Sequence, residues 1–419
     1  MGKISVTKVM KLLFVHQMLG EFGGAESNIR LSASELNRRG HVLGLMHTDT
    51  SGNNDSLWRQ LFGSCFQVPR EQSGRFARRT LEQFQPDVIY LHNVADPEVL
   101  QVLLGSGVPV VRMVHDHALY CMRGYKYNYV TRRICNRAFS PFCVFPCLAC
   151  VGRNRQGPLP LKWVSYSAKK RELALNKECD RLVVYSDYVK RELIQNGFDA
   201  AKIELCVPIR VWSDESLVSQ FSSRNLILFA GQLIRGKGVD VLLHALSRLR
   251  THFECAILGD GTHRRHCERL ALRLGLNDKV RFHGYVLPTE LGSFYREASV
   301  FVMGSLWPEP FGMAGPEAMR YGLPVVAFDA GGIREWLTDG ENGFLVPWKN
   351  ADLFAARLDQ LLRDKALAQR LGRSGFDFVQ RYDSCRQIDR LEGIFQSLSQ
   401  SAGAGSNRKT AQRHLPAYE

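Results

Sequence analysis

Residues 226–238 read Leu-Ile-Leu-Phe-Ala-Gly-Gln-Leu-Ile-Arg-Gly-Lys-Gly. A short apolar run bounded by glycine suits a strand buried on both faces. The glycines that follow open a turn, and apolar residues then recur at helical spacing from Val239 to Leu249. Strand, Gly-rich turn and helix in this order form the repeating unit of a parallel sheet covered by helices. Arg235 and Lys237 stand within the turn, where glycine lets backbone approach an oxygen-rich ligand and the cations suit a diphosphate. The spacing, and the lack of Ser or Thr after Lys237, exclude a Walker loop.

The rhythm extends both ways. Downstream come a strand at Glu254 to Leu258, the turn Gly259-Asp260-Gly261, a helix to Leu274 and strands near Val280, Val300 and Val325. Upstream, Lys11 to Met18 reads as a strand, Gly23-Gly24 as a turn, Ala25 to Arg39 as a helix ended by Gly40, and His41 to Met46 as a second strand. Further strands fall at Asp87 to Leu91, at Val108 to Val114 running into His115-Asp116-His117, and at Arg181 to Tyr185, where Ser186 caps a helix to about Asn196. A polar stretch from Ile209 to Arg224 separates the two series. The fold class is therefore α/β, with two Rossmann-like doubly wound domains facing across a cleft. The expected boundaries are 1–210, with an insertion near 117–171, and 222–398, whose last helix crosses back to the first domain, with residues 399–419 as a disordered tail.

Residues 307–319, Trp-Pro-Glu-Pro-Phe-Gly-Met-Ala-Gly-Pro-Glu-Ala-Met, put Glu309 and Glu317 on either side of a Gly/Pro-rich turn. Pro310 keeps Glu309 extended, while Pro316 is expected at a helix's first position with Glu317 in the first turn. Between the carboxylates, the N–H groups of Gly312, Met313 and Ala314 are available to an anion. That combination suits a phosphate flanked by hydroxyls.

The chain of 419 residues is 45% hydrophobic and carries a formal charge of +14. Its Lys-rich start is read as a first strand, because the apolar run is too short for a signal peptide, and no window resembles a membrane span. The expected location is cytoplasmic. From His117 to Arg171 there are eleven Lys and Arg, among them Arg132, Arg133 and Arg137, and no Asp or Glu. Tyr120, Tyr125, Tyr127, Tyr129, Phe139, Phe142, Phe145 and Trp163 alternate with them. This segment reads either as a solvated basic loop or as a surface for phosphates, lipid headgroups or nucleic acid. Five of the eleven cysteines lie there as well. Cys121, Cys135, Cys147 and Cys150 are candidate ligands of a structural zinc, with ordinary reduced thiols as the alternative.

Taken together, Gly23-Gly24-Ala25-Glu26, His115-Asp116, the Gly231 to Gly238 turn, Gly259-Asp260-Gly261 and the Glu309 to Glu317 element resemble the retaining, nucleotide-sugar-dependent glycosyltransferases of family 4, with the GT-B fold. The resemblance runs from about Lys11 to Leu398. It implies a donor nucleotide in the second domain, with Glu317 on the ribose hydroxyls, Glu309 and His115 as the catalytic pair at the transferred sugar, and Gly312, Met313 and Ala314 beside it. Arg235 and Lys237 would neutralise the diphosphate without a metal or other cofactor, and Gly23 and Gly24 would approach it across the cleft. Relatives commonly carry Arg where this chain has Gln232, and often Pro-Asn-Gly where it has Val207-Pro208-Ile209-Arg210. The implied partners are a nucleotide-sugar co-substrate, a glycan or lipid-linked acceptor of cell-surface polysaccharide such as lipopolysaccharide, and an anionic membrane surface, with no nucleic acid. The alternatives are a non-catalytic nucleic-acid or headgroup binder with a zinc module, and an epimerase or hydrolase on the same fold.

Overall fold

A computed structural model describes residues 8–20, 23–145, 147–153, 161–207, 224–382 and 384–405. The first sheet comprises β1 (Lys11–Val15), β2 (Val42–His47), β3 (Ser64–Gln67), β4 (Val88–Leu91), β5 (Val110–Val114), β6 (Arg181–Val184) and β7 (Ile203–Leu205). They run parallel in the order β7-β6-β5-β4-β1-β2-β3. The second sheet comprises β8 (Leu226–Ala230), β9 (Glu254–Leu258), β10 (Val280–Gly284), β11 (Val300–Met303), β12 (Val325–Phe328) and β13 (Gly343–Val346), all parallel in the order β10-β9-β8-β11-β12-β13. Both orders reverse beside the first strand of their series, and crevices for ligands open beyond the strand ends at such points.

The helices that matter to the site are α1 (Gly24–Arg38), α2 (Tyr166–Lys177), α3 (Asp187–Gln195), α4 (Val239–Leu246), α5 (Arg264–Arg273), α6 (Ala314–Arg320) and α7 (Ser384–Gly405). Helix α3 is capped by Ser186, whose Oγ accepts from the N–H of Val189. Helix α4 follows Gly238 in the left-handed region (φ 65°), where a Cβ would lie 1.9 Å from the carbonyl oxygen of Gly304. No side chain fits there.

Several details differ from the sequence reading. The first strand ends at Val15, with His16 and Gln17 leading into a separate short pairing at Met18–Leu19. Helix α6 begins at Ala314, so Pro316 occupies its third position rather than its first. Helix α7 extends to Gly405, through part of the expected tail, and its apolar face packs on the first domain, with the ring of Phe395 5.1 Å from that of Tyr90 in β4. Residues 406–419, the linker at 208–223 and Arg155 lie outside the described residues.

The insertion differs most. Its aromatic residues do not form one exposed face: Tyr127 is buried in the hydrophobic core of the second domain, with Tyr125 and Tyr129 packed beside it. Nor is all of its charge free. The Arg132 guanidinium grips Asp240 of α4 at 2.6 and 3.0 Å, Lys126 is buried against Glu192 at 2.8 Å, and Lys169 pairs with Glu172 at 2.7 Å. The acids come from outside the segment, which is why its own composition conceals them.

Helix α7 is fixed to the first domain by Glu392, almost fully buried, which accepts from Arg39 at 2.8 Å and pairs with the ring of His41 at 3.0 Å. Arg39 keeps Asp389 and Glu35 as partners, so Glu392→Ala removes one charge-assisted bond and the acid beside His41 and is expected to cost about 2 kcal/mol, visible as a lowered urea midpoint. An unchanged midpoint would show that α7 is held by its apolar contacts alone.

Candidate active site

In the second domain the lysine turn and the glutamate loop are stitched together. The backbone carbonyl of Gly236 accepts from the N–H groups of Leu306 (2.8 Å) and Trp307 (3.1 Å). The stitch brings Lys237 Nζ to 2.7 Å from Glu309 Oε1 and to 5.0 Å from the centre of the Trp307 ring. The same carboxylate oxygen accepts from Ser305 Oγ at 2.5 Å and Trp307 Nε1 at 2.8 Å. Burial favours the neutral acid, but the Lys237 charge and the donors outweigh it and hold Glu309 below the ordinary glutamate range. All three bonds fall on Oε1. An ammonium has three donors, so Lys237 keeps two for a further ligand.

Glu309 is framed by carbonyls that the first domain holds. His117 Nε2 donates to the Pro308 carbonyl at 2.8 Å, and Ser186 Oγ donates to the Pro310 carbonyl at 2.5 Å. Tyr120 OH donates to His117 Nδ1 at 2.7 Å, which completes a neutral Nε2–H tautomer. Burial pushes His117 down to about 4. Gly331 packs against the loop from below with φ 72°, where a Cβ would lie 2.5 Å from the Glu309 carbonyl oxygen. Glu317 is half-buried in the first turn of α6, and the N–H groups of Gly312 and Met313 bond to no backbone carbonyl among the described residues. Gln232 is exposed and Arg235 half-buried, in the same turn as Lys237.

The first domain contributes a tier of rings. The residue directly after each of four adjacent strands, His16 after β1, His92 after β4, His115 after β5 and Tyr185 after β6, points into one buried layer. His115 shares 2.8 Å bonds with His92 Nδ1 and with the Tyr185 hydroxyl, and that hydroxyl donates to Asn28 Oδ1 at 3.2 Å. With Tyr185 donating onward, His115 carries its proton on Nδ1 and accepts from His92. Burial drives His115 down to about 3, so the ring is neutral. Glu26 of α1 meets His16 Nε2 at 3.1 Å, and that bond holds its carboxylate low against the opposing effect of burial. Gly23, the N-cap of α1, would place a Cβ 3.5 Å from Glu26 Oε2.

Sequence reasoning found His115 but not His16, Glu26, His92 or Tyr185. Their signal is available in the chain: Val15-His16, Leu91-His92, Val114-His115 and Val184-Tyr185 each put a polar ring at the end of an apolar run. Of the cysteines read as zinc ligands, Cys121, Cys135 and Cys147 lie near Cys143, whose thiol burial and these neighbours push up, while no three cysteines among the described residues bring their sulfurs within 4.8 Å of one another. Asp240, His263 and His266 do meet that spacing, although Arg132 already occupies Asp240.

Two parallel Rossmann-like sheets joined into one two-domain chain are the architecture of the GT-B class. Residues 22–206 match the family described as Glycosyltransferase Family 4, and residues 216–378 match Glycosyl transferases group 1. The chain belongs to the family 4 glycosyltransferases. It is 37% identical over 167 residues to a D-inositol 3-phosphate glycosyltransferase of Streptomyces bingchenggensis, covering 37% of this chain and 36% of that one. It is also 34% identical over 152 residues to the lipopolysaccharide core biosynthesis glycosyltransferase LpsE of Rhizobium meliloti, covering 36% and 44% of the two chains. The chain thus aligns with less than half the length of these two relatives. Anabaena HepE in complex with UDP and glucose shares the fold with a TM-score of 0.70 at 19% identity, covering 93% of this chain and 100% of that one.

The buried neutral imidazoles set a pH dependence. Unfolded histidines take up protons near pH 6.5, whereas His117 and His115 in the fold do so near 4 and 3. Between these values the unfolded state binds more protons, so stability is lost as pH falls from about 6.5 towards 4, by roughly 3 kcal/mol per imidazole. Urea unfolding at pH 7.5 and 5.0 measures this, and His117→Gln is expected to flatten the profile. Equal stability at both pH values would contradict neutral burial.

Proposed function

We propose that this glycosyltransferase moves a hexose from a nucleotide-sugar donor to a glycan or lipid-linked acceptor of cell-surface polysaccharide, with retention at the anomeric carbon and without a metal. The Lys237–Glu309 contact carries the reading. Lys237 directs two free donors to the donor diphosphate, supported by Arg235 and by the N–H groups of Gly312, Met313 and Ala314, so that charge a divalent ion would otherwise neutralise meets the protein. Gln232 supplies no charge at this point. Glu317 accepts the ribose hydroxyls, and Glu309, oriented through Oε1, offers Oε2 to the sugar. Gly23 and Gly24 approach the diphosphate from the first domain. His115 reaches the sugar by exchanging its bond to Tyr185. The HepE complexes favour a uridine nucleotide.

In this scheme the bond from the anomeric carbon to the phosphate oxygen breaks, and the acceptor oxygen bonds to the same face of that carbon. The acceptor's proton passes to the departing phosphate. The transition state resembles an oxocarbenium ion, and the protein contributes position and fixed charge. A screen of sugar nucleotides read by product mass tests the proposal: Lys237→Ala and Glu317→Ala are each expected to lower kcat/KM for the donor by about a hundredfold, equivalent to two lost charged hydrogen bonds. Unchanged turnover in either variant would remove that residue from the donor site.

The proposed setting is the cytoplasmic membrane face, where the chain binds peripherally. Among the described residues no helix is long and apolar enough to cross a membrane. The insertion nevertheless exposes Val130, Phe145 and Trp163 at 84%, 75% and 74%, with Arg133 exposed nearby in the chain. Apolar side chains next to cations suit an anionic lipid surface. Flotation with phosphatidylglycerol vesicles is expected to carry the protein upward, and Phe145→Ser with Trp163→Ser to abolish this. Equal flotation of the double variant would place the contact elsewhere.

A further inference from the structure

Among the described residues of the first domain, a buried cation lacks an ion-pair contact. Arg112 lies in the middle of β5, 4% exposed, and its one hydrogen bond among the described residues runs from Nη1 to the Val94 carbonyl at 3.4 Å. Its Nε is buried without a partner. A guanidinium taken out of water in this way is expensive unless something polar meets it. It lines a cavity of ≈ 160 Å³ together with Gln17, Asn93, Asp116, Lys169 and Glu172.

The cavity sits where the strand-end pattern continues by one residue. Gln17, Asn93 and Asp116 directly follow His16, His92 and His115, so the pocket adjoins the ring tier, and His115 itself contributes to its wall. Helix α2 closes the other side with Lys169 and Glu172, paired at 2.7 Å. Asp116 accepts from the Ala118 N–H at 2.7 Å, and burial raises its carboxyl.

Four ionisable groups, two of each sign, cancel in net charge. An anion entering the cavity would gain Arg112 but face Asp116 and Glu172. A nucleotide is too large, since sites for larger organic ligands span about 300–1,000 Å³. At ~30 Å³ per molecule the space holds about five waters. A neutral ring bearing adjacent hydroxyls matches both constraints, because each hydroxyl accepts from Arg112, Lys169 or an amide and donates to a carboxylate.

We infer that this cavity is the subsite for a neutral, hydroxylated sugar ring, the terminal ring of the acceptor, held by Arg112 and Asp116 with Asn93 and Gln17 at its rim. The inference rests on the transferase reading for the ring's role as acceptor, but its binding is measurable alone. Held there, the ring lies beside His115.

Saturation-transfer NMR on the full chain, with methyl α-glycosides of glucose, galactose, mannose and N-acetylglucosamine as probes, tests it with and without UDP. At least one glycoside is expected to give a signal, and Arg112→Met, Asp116→Asn and Asn93→Ala to weaken its binding about tenfold, one charged hydrogen bond's worth. Asn93→Ala and Asp116→Asn keep the test decisive if Arg112→Met fails to fold. Absence of any glycoside signal, or equal binding by the folded variants, overturns the inference, as does displacement of the glycoside by inorganic phosphate. Failure of UDP to bind refutes the donor assignment instead, and the glycoside results obtained without UDP still decide the subsite.

Discussion

Two hydrogen bonds across the cleft fix the geometry on which the site depends: His117 to the carbonyl of Pro308 and Ser186 to the carbonyl of Pro310. They bracket Glu309, the residue whose carboxylate collects Lys237, Ser305 and Trp307 on one oxygen. Proline at both flanks restricts the backbone, and the first domain then supplies the donors that orient its peptide groups. The position of the carboxylate is therefore a property of both domains together. A glycine at 331 is the third requirement, since a side chain there would strike the loop it supports.

Opposite this loop the first domain offers a tier of rings, with the Glu26 carboxylate at His16 and with His92 and His115 neutral. Burial explains the choice: His115 and His92 hydrogen-bond each other, and two protonated rings in contact would repel in a low dielectric. Lys237 pairs with Glu309 in the second domain and Glu26 meets His16 in the first, so each side of the site carries charge.

What the sequence disclosed follows from the range of each interaction. Most strands of both sheets and the two Gly-rich turns depend on residues a few positions apart, so periodicity revealed them, and Leu226–Ala230 and Glu254–Leu258 have the bounds read from the chain, whereas the short edge strands Ser64–Gln67, Ile203–Leu205 and Gly343–Val346 were not read. Glu309 and Glu317 were legible because glycine and proline between them leave few alternatives. The partners of the insertion were not legible. Arg132 and Asp240 lie 108 positions apart, and a run without acids looks like a one-sign field until the fold supplies the acids.

Tyr127 belongs by sequence to the insertion of the first domain and by packing to the core of the second. Helix α7 makes the reverse crossing, leaving the second domain to end on the first. The domains are thus interlaced by exchanged elements. A rigid rotation that widens the cleft must either withdraw an aromatic ring from a hydrophobic core, at about 2 kcal/mol for a side chain of this class, or carry Tyr127 along with the second domain by bending the insertion that holds it.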